Sequence, residues 1–336
     1  MSSEFIDCRN EVSSVQVPPA HRLCWLAADI RDENWIVPLS ELALGEIARI
    51  AQFVAANPLQ NLQRRVVDFD IPHCQEAMKR MKHILDHGVG FAVLDRLPVD
   101  SYSTEQLVEI YWLLGQMIGR PVAQKWNGMM VYDVRDTGVE FGYGVRGSTT
   151  NIELVFHTDN AFGCMVPDYV GLLCKNAART GGISRFCSLY SVHERMRAQH
   201  PKLLDRLYQP MFFDRQKEHA EGAPPTSLAP YFSWRGDRLF ARANSSLVRK
   251  GYDVAGEKPD GLIIEALDAI DDICTSEDLW FEGPLARGHV QYLNNHEVGH
   301  YRSAFEDFEE PEQKRHLFRL WHREQGSVTY DGGYPA

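Results

Sequence analysis

From about residue 140 onward the chain breaks into short β-prone runs separated by Gly, Pro and Asn, and this texture constrains the fold more than any other feature. The runs are residues 169–177, 183–188, 211–214, 231–234, 239–243, 288–293 and 316–321. Strands this short bury little alone, so they must pair into a barrel or a double-layered sheet. Helical patterns interrupt them at 189–207 and 260–274, and Trp234-Arg235-Gly236-Asp237 reads as a hairpin turn. Before residue 140 the pattern is mostly helical, at 42–55, at 72–87 behind an Asp70 placed to cap it, and at 103–117 between Ser103-Thr104-Glu105 and Gly119. A strand is expected at 88–97 and strand-like alternation at 122–134, while residues 1–40 read as irregular. The expected architecture is mainly β with flanking helices, one domain over 1–336. In it, residues 1–87 form a helical N-terminal buttress, and 88–325 form a jelly-roll core with helical and loop insertions. The polar, Pro- and Gly-rich residues 214–230 read as a mobile loop and a candidate lid.

Net charge is −11 over 336 residues, and no basic stripe is present to neutralise phosphates, which argues against nucleic acid and anionic membrane as partners. A small molecule is the expected partner, and a homo-oligomer is left open. The seven cysteines are scattered and odd in number, without a CxxC pair, so a disulfide framework or zinc ribbon is not expected and a cytoplasmic location is. The N-terminal segment lacks the basic and apolar blocks of a signal peptide, and no apolar run reaches the length of a membrane span.

Chemistry concentrates at His157-Thr158-Asp159. With 13 His and 46 acids, chance alone gives about two His-x-acid triplets, and the chain has others at His219/Glu221 and His322/Glu324. Context selects the first. Residues two apart in a strand point the same way, so His157 and Asp159 can reach one ion, and apolar Leu154-Val155-Phe156 and Ala161-Phe162 flank them. His219/Glu221 lies in the polar loop, and no His follows His322/Glu324 to complete a site. A third ligand is available at His289, His296 or His300, and spacing alone does not separate them. Two imidazoles and a carboxylate suit Fe(II), with Zn(II) a chemical alternative.

Arg315 and Arg319 share a strand face with Leu317 and Trp321. A buried Arg requires an anion, and a carboxylate gripped by the guanidinium fork is the usual one; a structural salt bridge to nearby Glu306, Asp307, Glu309 or Glu310 is the plainer alternative.

Residues 153–160 (ELVFHTDN), 179–184 (RTGGIS), 294–305 (NNHEVGHYRSAF) and 314–321 (KRHLFRLW), in that order over roughly 90–325, resemble the taurine dioxygenase-like (TauD/TfdA, clavaminate-synthase-like) family of Fe(II)/2-oxoglutarate oxygenases. The resemblance implies a double-stranded β-helix, cupin-like core. It implies His300 as the third metal ligand, with Arg315 and Ser184 holding the distal carboxylate of 2-oxoglutarate and Arg319 meeting an acid group on the substrate. It also implies Fe(II) as metal, 2-oxoglutarate and O2 as cosubstrates, and hydroxylation with release of succinate and CO2. Tyr301 stands where the family often has Gly, and Asp159 disfavours halogenation. Tyr143, Arg146 and Asn151 before the triplet and Asn160 after it are candidates for the wall of a pocket for a small polar or anionic metabolite. Two other readings compete: a Zn-dependent hydrolase or isomerase on the same barrel, and a non-catalytic metabolite-binding barrel.

Overall fold

The computed structural model describes residues 5–9 and 23–333, so part of the irregular 1–40 segment lies outside the described residues. Helix α1 (Glu41–Ala56) is capped by the Ser40 hydroxyl, which accepts from the Ala43 N–H, and buries Ile47, Ile50, Ala51 and Val54 at helical spacing. Helix α2 (Pro72–His87) has the expected bounds, but Asp70 does not cap it: Ile71 occupies the cap position and Pro72 follows at N1. Its first-turn donors meet a buried carboxylate instead, Glu46 of α1, which accepts from His73 N and Cys74 N at 3.1 and 2.8 Å. Helix α3 (Thr104–Gly115) opens on a capping box between Ser103 and Gln106 and ends before Gly119.

The strands that build the site are β1 (Ile36–Pro38), β2 (Phe91–Asp95), β3 (Arg120–Val122), β4 (Tyr132–Val134), β5 (Leu154–His157), β6 (Tyr169–Asn176), β7 (Ser184–Ser188), β8 (Trp280–Glu282), β9 (Val290–Asn294), β10 (Val298–Arg302) and β11 (His316–Arg323). A seven-stranded sheet runs β1-β2-β9-β6-β11-β3, with β4 also on β11, and a four-stranded sheet runs β8-β7-β10-β5. Only three residues, Asn295–Glu297, separate β9 of the larger sheet from β10 of the smaller. Strand alternation sorts the side chains of β2: Phe91 and Val93 join a core with Phe186, Leu293, Val298 and Trp321, whereas Ala92 and Leu94 join a second core with α1, α2 and α3. The three helices therefore cover one face of the larger sheet, and its other face meets the smaller sheet.

Several expectations are refined. The 189–207 pattern is two helices, α4 (Leu189–Gln199) and α5 (Pro201–Leu207), because Pro201 lacks an N–H and keeps His200 out of helical geometry. Helix α6 (Ser245–Ala255), capped by Asn244, was not expected; it buries Leu247, Val248, Gly251 and Tyr252 on one face. Helix α7 (Gly261–Cys274) begins on the expected Asp260, which caps it. The hairpin is present, with Phe232–Arg235 paired to Arg238–Ala241 across Gly236 at φ +63. Residues 214–230 are not a loop throughout: Thr226–Ala229 is a strand between Phe5–Asp7 and Met211–Asp214, with Thr226, Ser227 and Ala229 buried. The segment before residue 88 is not purely helical, since it supplies β1 and the Phe5–Asp7 strand. Among the described residues, no helix is long and apolar enough to cross a membrane.

Candidate metal centre

His157 and His300 are cross-strand partners on β5 and β10, with ring centroids 4.2 Å apart. Asp159 lies just beyond the end of β5, and its Oδ1 is 3.6 Å from Nε2 of each histidine. One donor atom from each of the three residues falls within 4.8 Å of the others, the only such three-ligand group of His, Cys, Asp or Glu among the described residues. The structure thus separates the three candidate histidines. His289 Nε2 lies 3.2 Å from Asp95, and His296 Nε2 lies 2.9 Å from Asp168 with its ring on Phe240, so neither faces Asp159.

The turn after β5 is fixed at both ends. Thr158 exchanges hydrogen bonds with Ala243: its N–H donates to the Ala243 carbonyl at 2.7 Å, and its hydroxyl accepts from Ala243 N at 3.0 Å. The buried Asn295 side chain accepts from Asp159 N at 2.8 Å and donates to the carbonyls of Asp159 and Pro167 at 2.9 and 3.0 Å. Arg242 donates to the carbonyls of Ala161 and Gly163 at 2.8 and 2.7 Å. His157 Nδ1 faces the Val155 carbonyl at 2.8 Å, which assigns it the proton and leaves Nε2 as a lone-pair donor.

The second carboxylate oxygen of Asp159 is also engaged. Arg319 Nη1 donates to Oδ2 at 2.9 Å and Trp321 Nε1 at 2.8 Å, while Gln124 accepts from Arg319 Nε at 2.9 Å. Burial works to raise the Asp159 carboxyl, but the Arg319 guanidinium and the two histidines beside it outweigh burial and hold it well below the usual range. Burial and the neighbouring His157 push His300 down to about 4. Asp159 and His300 are therefore held in the protonation state a metal requires.

The other candidates divide by position. Arg146, Asn160 and Arg319 line a cavity of about 310 Å³ that also includes His157, Asp159 and Trp321. Tyr143 and Asn151 are exposed; Lys217 and Lys250 lie over the Tyr143 ring, and the Asn151 carbonyl accepts from Phe305 N. Arg315 is buried and lines a second cavity of about 210 Å³ beside Gly181, Gly182 and Cys174, with Nη1 lacking any hydrogen-bond partner. Arg315 precedes β11 and lines a different cavity from the one Arg319 and Trp321 line. Ser184 is buried on β7, opposite Arg302 of β10. Sequence reasoning missed Gln124 and Asn295, each a lone amide in a polar stretch, and gave Trp321 no role beyond sharing the Arg319 face. His219/Glu221 and His322/Glu324 form no metal group.

Fold and site together define a sheet-rich protein with a two-histidine, one-carboxylate metal centre. The family model described as "Taurine catabolism dioxygenase TauD, TfdA family" matches residues 55–321, and the chain belongs to that family of dioxygenases. FR-33289 synthase of Streptomyces rubellomurinus is 27% identical over 92% of this chain and 91% of its own length. Among solved structures, an asparagine oxygenase in complex with Fe(II), 3-hydroxyasparagine and succinate matches at a TM-score of 0.65 and 19% identity, covering 88% of this chain and 98% of that one. The non-haem iron oxygenase OrfP in complex with Fe and α-ketoglutaric acid matches at a TM-score of 0.62 and 16% identity, covering 86% and 94%.

Proposed function

We propose that this protein is an Fe(II)- and 2-oxoglutarate-dependent dioxygenase that hydroxylates a small polar or anionic metabolite with release of succinate and CO2, on a double-stranded β-helix core within a single domain. The observation that carries the reading is the convergence of His157, Asp159 and His300, with the donor set of a facial metal site and Arg315 buried nearby with an unpartnered N–H. Together with 2-oxoglutarate, Fe(II) bound there would supply the oxidising power, through decarboxylation of the oxo-acid. His157, Asp159 and His300 hold the metal, and Asn295 with Trp321 fixes the angle of the carboxylate. Arg315 and Ser184 hold the distal carboxylate of the oxo-acid. Arg319, Asn160 and Arg146 face the cavity that would take the substrate, and Tyr143 and Asn151 belong to the segment around it. The asparagine oxygenase and OrfP structures carry hydroxylated amino acids, so amino acids and acids of similar size come first in a substrate screen. No observation favours the Zn-hydrolase reading, and family membership displaces the non-catalytic one.

The test adds Fe(II) and 2-oxoglutarate to metal-free protein without oxygen and records the visible spectrum. A charge-transfer band in wild type that is absent in Asp159→Ala supports the reading, and succinate release then scores the substrate screen. Folded, metal-loaded protein with no band overturns it.

A further inference from the structure

Two buried guanidinium groups lie in one neighbourhood and, among the described residues, neither is in contact with a carboxylate, although Asp136 and Asp307 act on them from farther off. Arg302 and Arg315 are 6% and 5% exposed, and neither forms an ion pair among the described residues. Arg302 uses only Nη2, which donates to the Thr150 and Ile152 carbonyls; its Nε and Nη1 are buried with no partner, as is Nη1 of Arg315. Other buried arginines of this protein are served differently. Arg319 meets Asp159 at 2.9 Å, and Arg323 donates from three nitrogens to the carbonyls of Met165, Thr329 and Tyr330. A buried N–H left unmade costs about 1–3 kcal/mol, more for a charged group, and two neighbouring cations add repulsion. An anion within reach of both charges would relieve that cost.

The sheet register says where that anion belongs. Arg302 lies two residues beyond His300 on β10, so both point to one face, and it faces Ser184 across the ladder as His300 faces Phe186. Arg315 reaches the same region because Gly182, at φ +66, has no side chain: a Cβ there would lie 3.1 Å from Arg315 Nε. Both guanidinium groups contact one ring, Phe305, whose centroid is 4.9 Å from the guanidinium carbon of Arg302 and 5.0 Å from that of Arg315, which places the two charges in one neighbourhood. From the metal ligands outward the face therefore presents His300, then Arg302 beside Ser184, then Arg315.

We infer that Arg302 is a second cation for the distal carboxylate of the oxo-acid, acting with Arg315 and Ser184, and that it sets the preference of the site for a 2-oxo dicarboxylate over a 2-oxo monocarboxylate. The inference rests on the proposed 2-oxoglutarate dependence. It assigns Arg302 to binding and gives it no part in the chemical step.

The experiment titrates Fe(II)-loaded protein without oxygen, by calorimetry and by the charge-transfer band, with 2-oxoglutarate and with 2-oxovalerate, which has the same chain length but no distal carboxylate. In Arg302→Gln the affinity for 2-oxoglutarate is expected to fall about 10–100-fold, as loss of a charge-assisted bond predicts, while that for 2-oxovalerate stays within about twofold. Should Arg302→Gln not fold, Arg302→Lys keeps the charge with fewer donors and is expected to show a smaller, still dicarboxylate-selective loss. Equal losses for both ligands, as a mere staple on the Thr150 and Ile152 carbonyls would give, overturn the inference, as does an unchanged ratio. Wild type that binds no 2-oxoglutarate overturns the functional reading along with it.

Discussion

Asn295 shows how much one amide can fix. It has no solvent exposure, and its three hydrogen bonds tie the Asp159 backbone to the Pro167 carbonyl. Asn295→Ala leaves these groups unpaired in the interior, so a stability loss of about 2–4 kcal/mol is expected in urea unfolding. Because the same bonds aim Asp159, metal affinity should fall about 10–100-fold in an equilibrium titration. Full affinity in a destabilised but folded variant would show that the amide holds the turn without aiming the ligand. Asn295 was not legible in the sequence, where it is one polar residue in Asn294-Asn295-His296-Glu297. His157 and Asp159 were legible, because spacing of two on a strand is itself a statement about direction. The choice among His289, His296 and His300 was not, because all three lie close together near adjacent strands and only the partner each ring faces distinguishes them.

Strand β11 carries different chemistry on its two faces. Arg319 and Trp321 turn toward Asp159, whereas Phe318 and Leu320 join the helix-side core and His322 lies beside the Tyr292 ring. His322 is fully buried, its Nδ1 against the Gly119 carbonyl at 3.1 Å, and burial pushes it down to about 4. A histidine depressed in the fold stays neutral there while the unfolded chain takes up a proton near pH 6.5, so stability is lost as pH falls from about 6.5 toward 4. His322→Gln removes that proton uptake. The stability of wild type relative to the variant should therefore fall by roughly 2–4 kcal/mol between pH 7 and pH 4, measured by urea unfolding at several pH values; a constant difference would place His322 in a hydrated setting. At this scale some local signals were informative and others, such as Asp70 before α2, were not. Ser103, Asp260 and Gly236 mark their helix starts and turn, while α6 was missed although Asn244 caps it and Leu247, Val248, Gly251 and Tyr252 fall on one face, because that face is only two turns long.

In the whole molecule, α3 packs against the larger sheet, and Gly171 of β6 is a point of closest approach. A Cβ there would lie 2.4 Å from the Tyr292 ring and 2.5 Å from the Tyr111 hydroxyl. Gly171→Val is expected to cost about 1–3 kcal/mol or more through overpacking, seen as a lowered unfolding midpoint. Metal binding in the folded fraction should be unchanged, since the metal ligands lie beyond the opposite face; lost binding would instead show that the two cores are mechanically coupled. Helices before residue 140 and strands after it were visible as texture. Pairing was not: β6 lies between β9 and β11, more than a hundred residues later in the chain, and no local period encodes such a partnership.

The tethered oxygen of Asp159 bears on how many places at the metal remain vacant. A carboxylate free to rotate can clasp an ion through both oxygens and use one more octahedral position than it needs. Here an indole and a guanidinium occupy Oδ2, so the side chain can offer only Oδ1. Trp321 and Arg319 would thus act as a stop on denticity, so that an ion held by Asp159 with His157 and His300 would keep the remaining positions for other ligands.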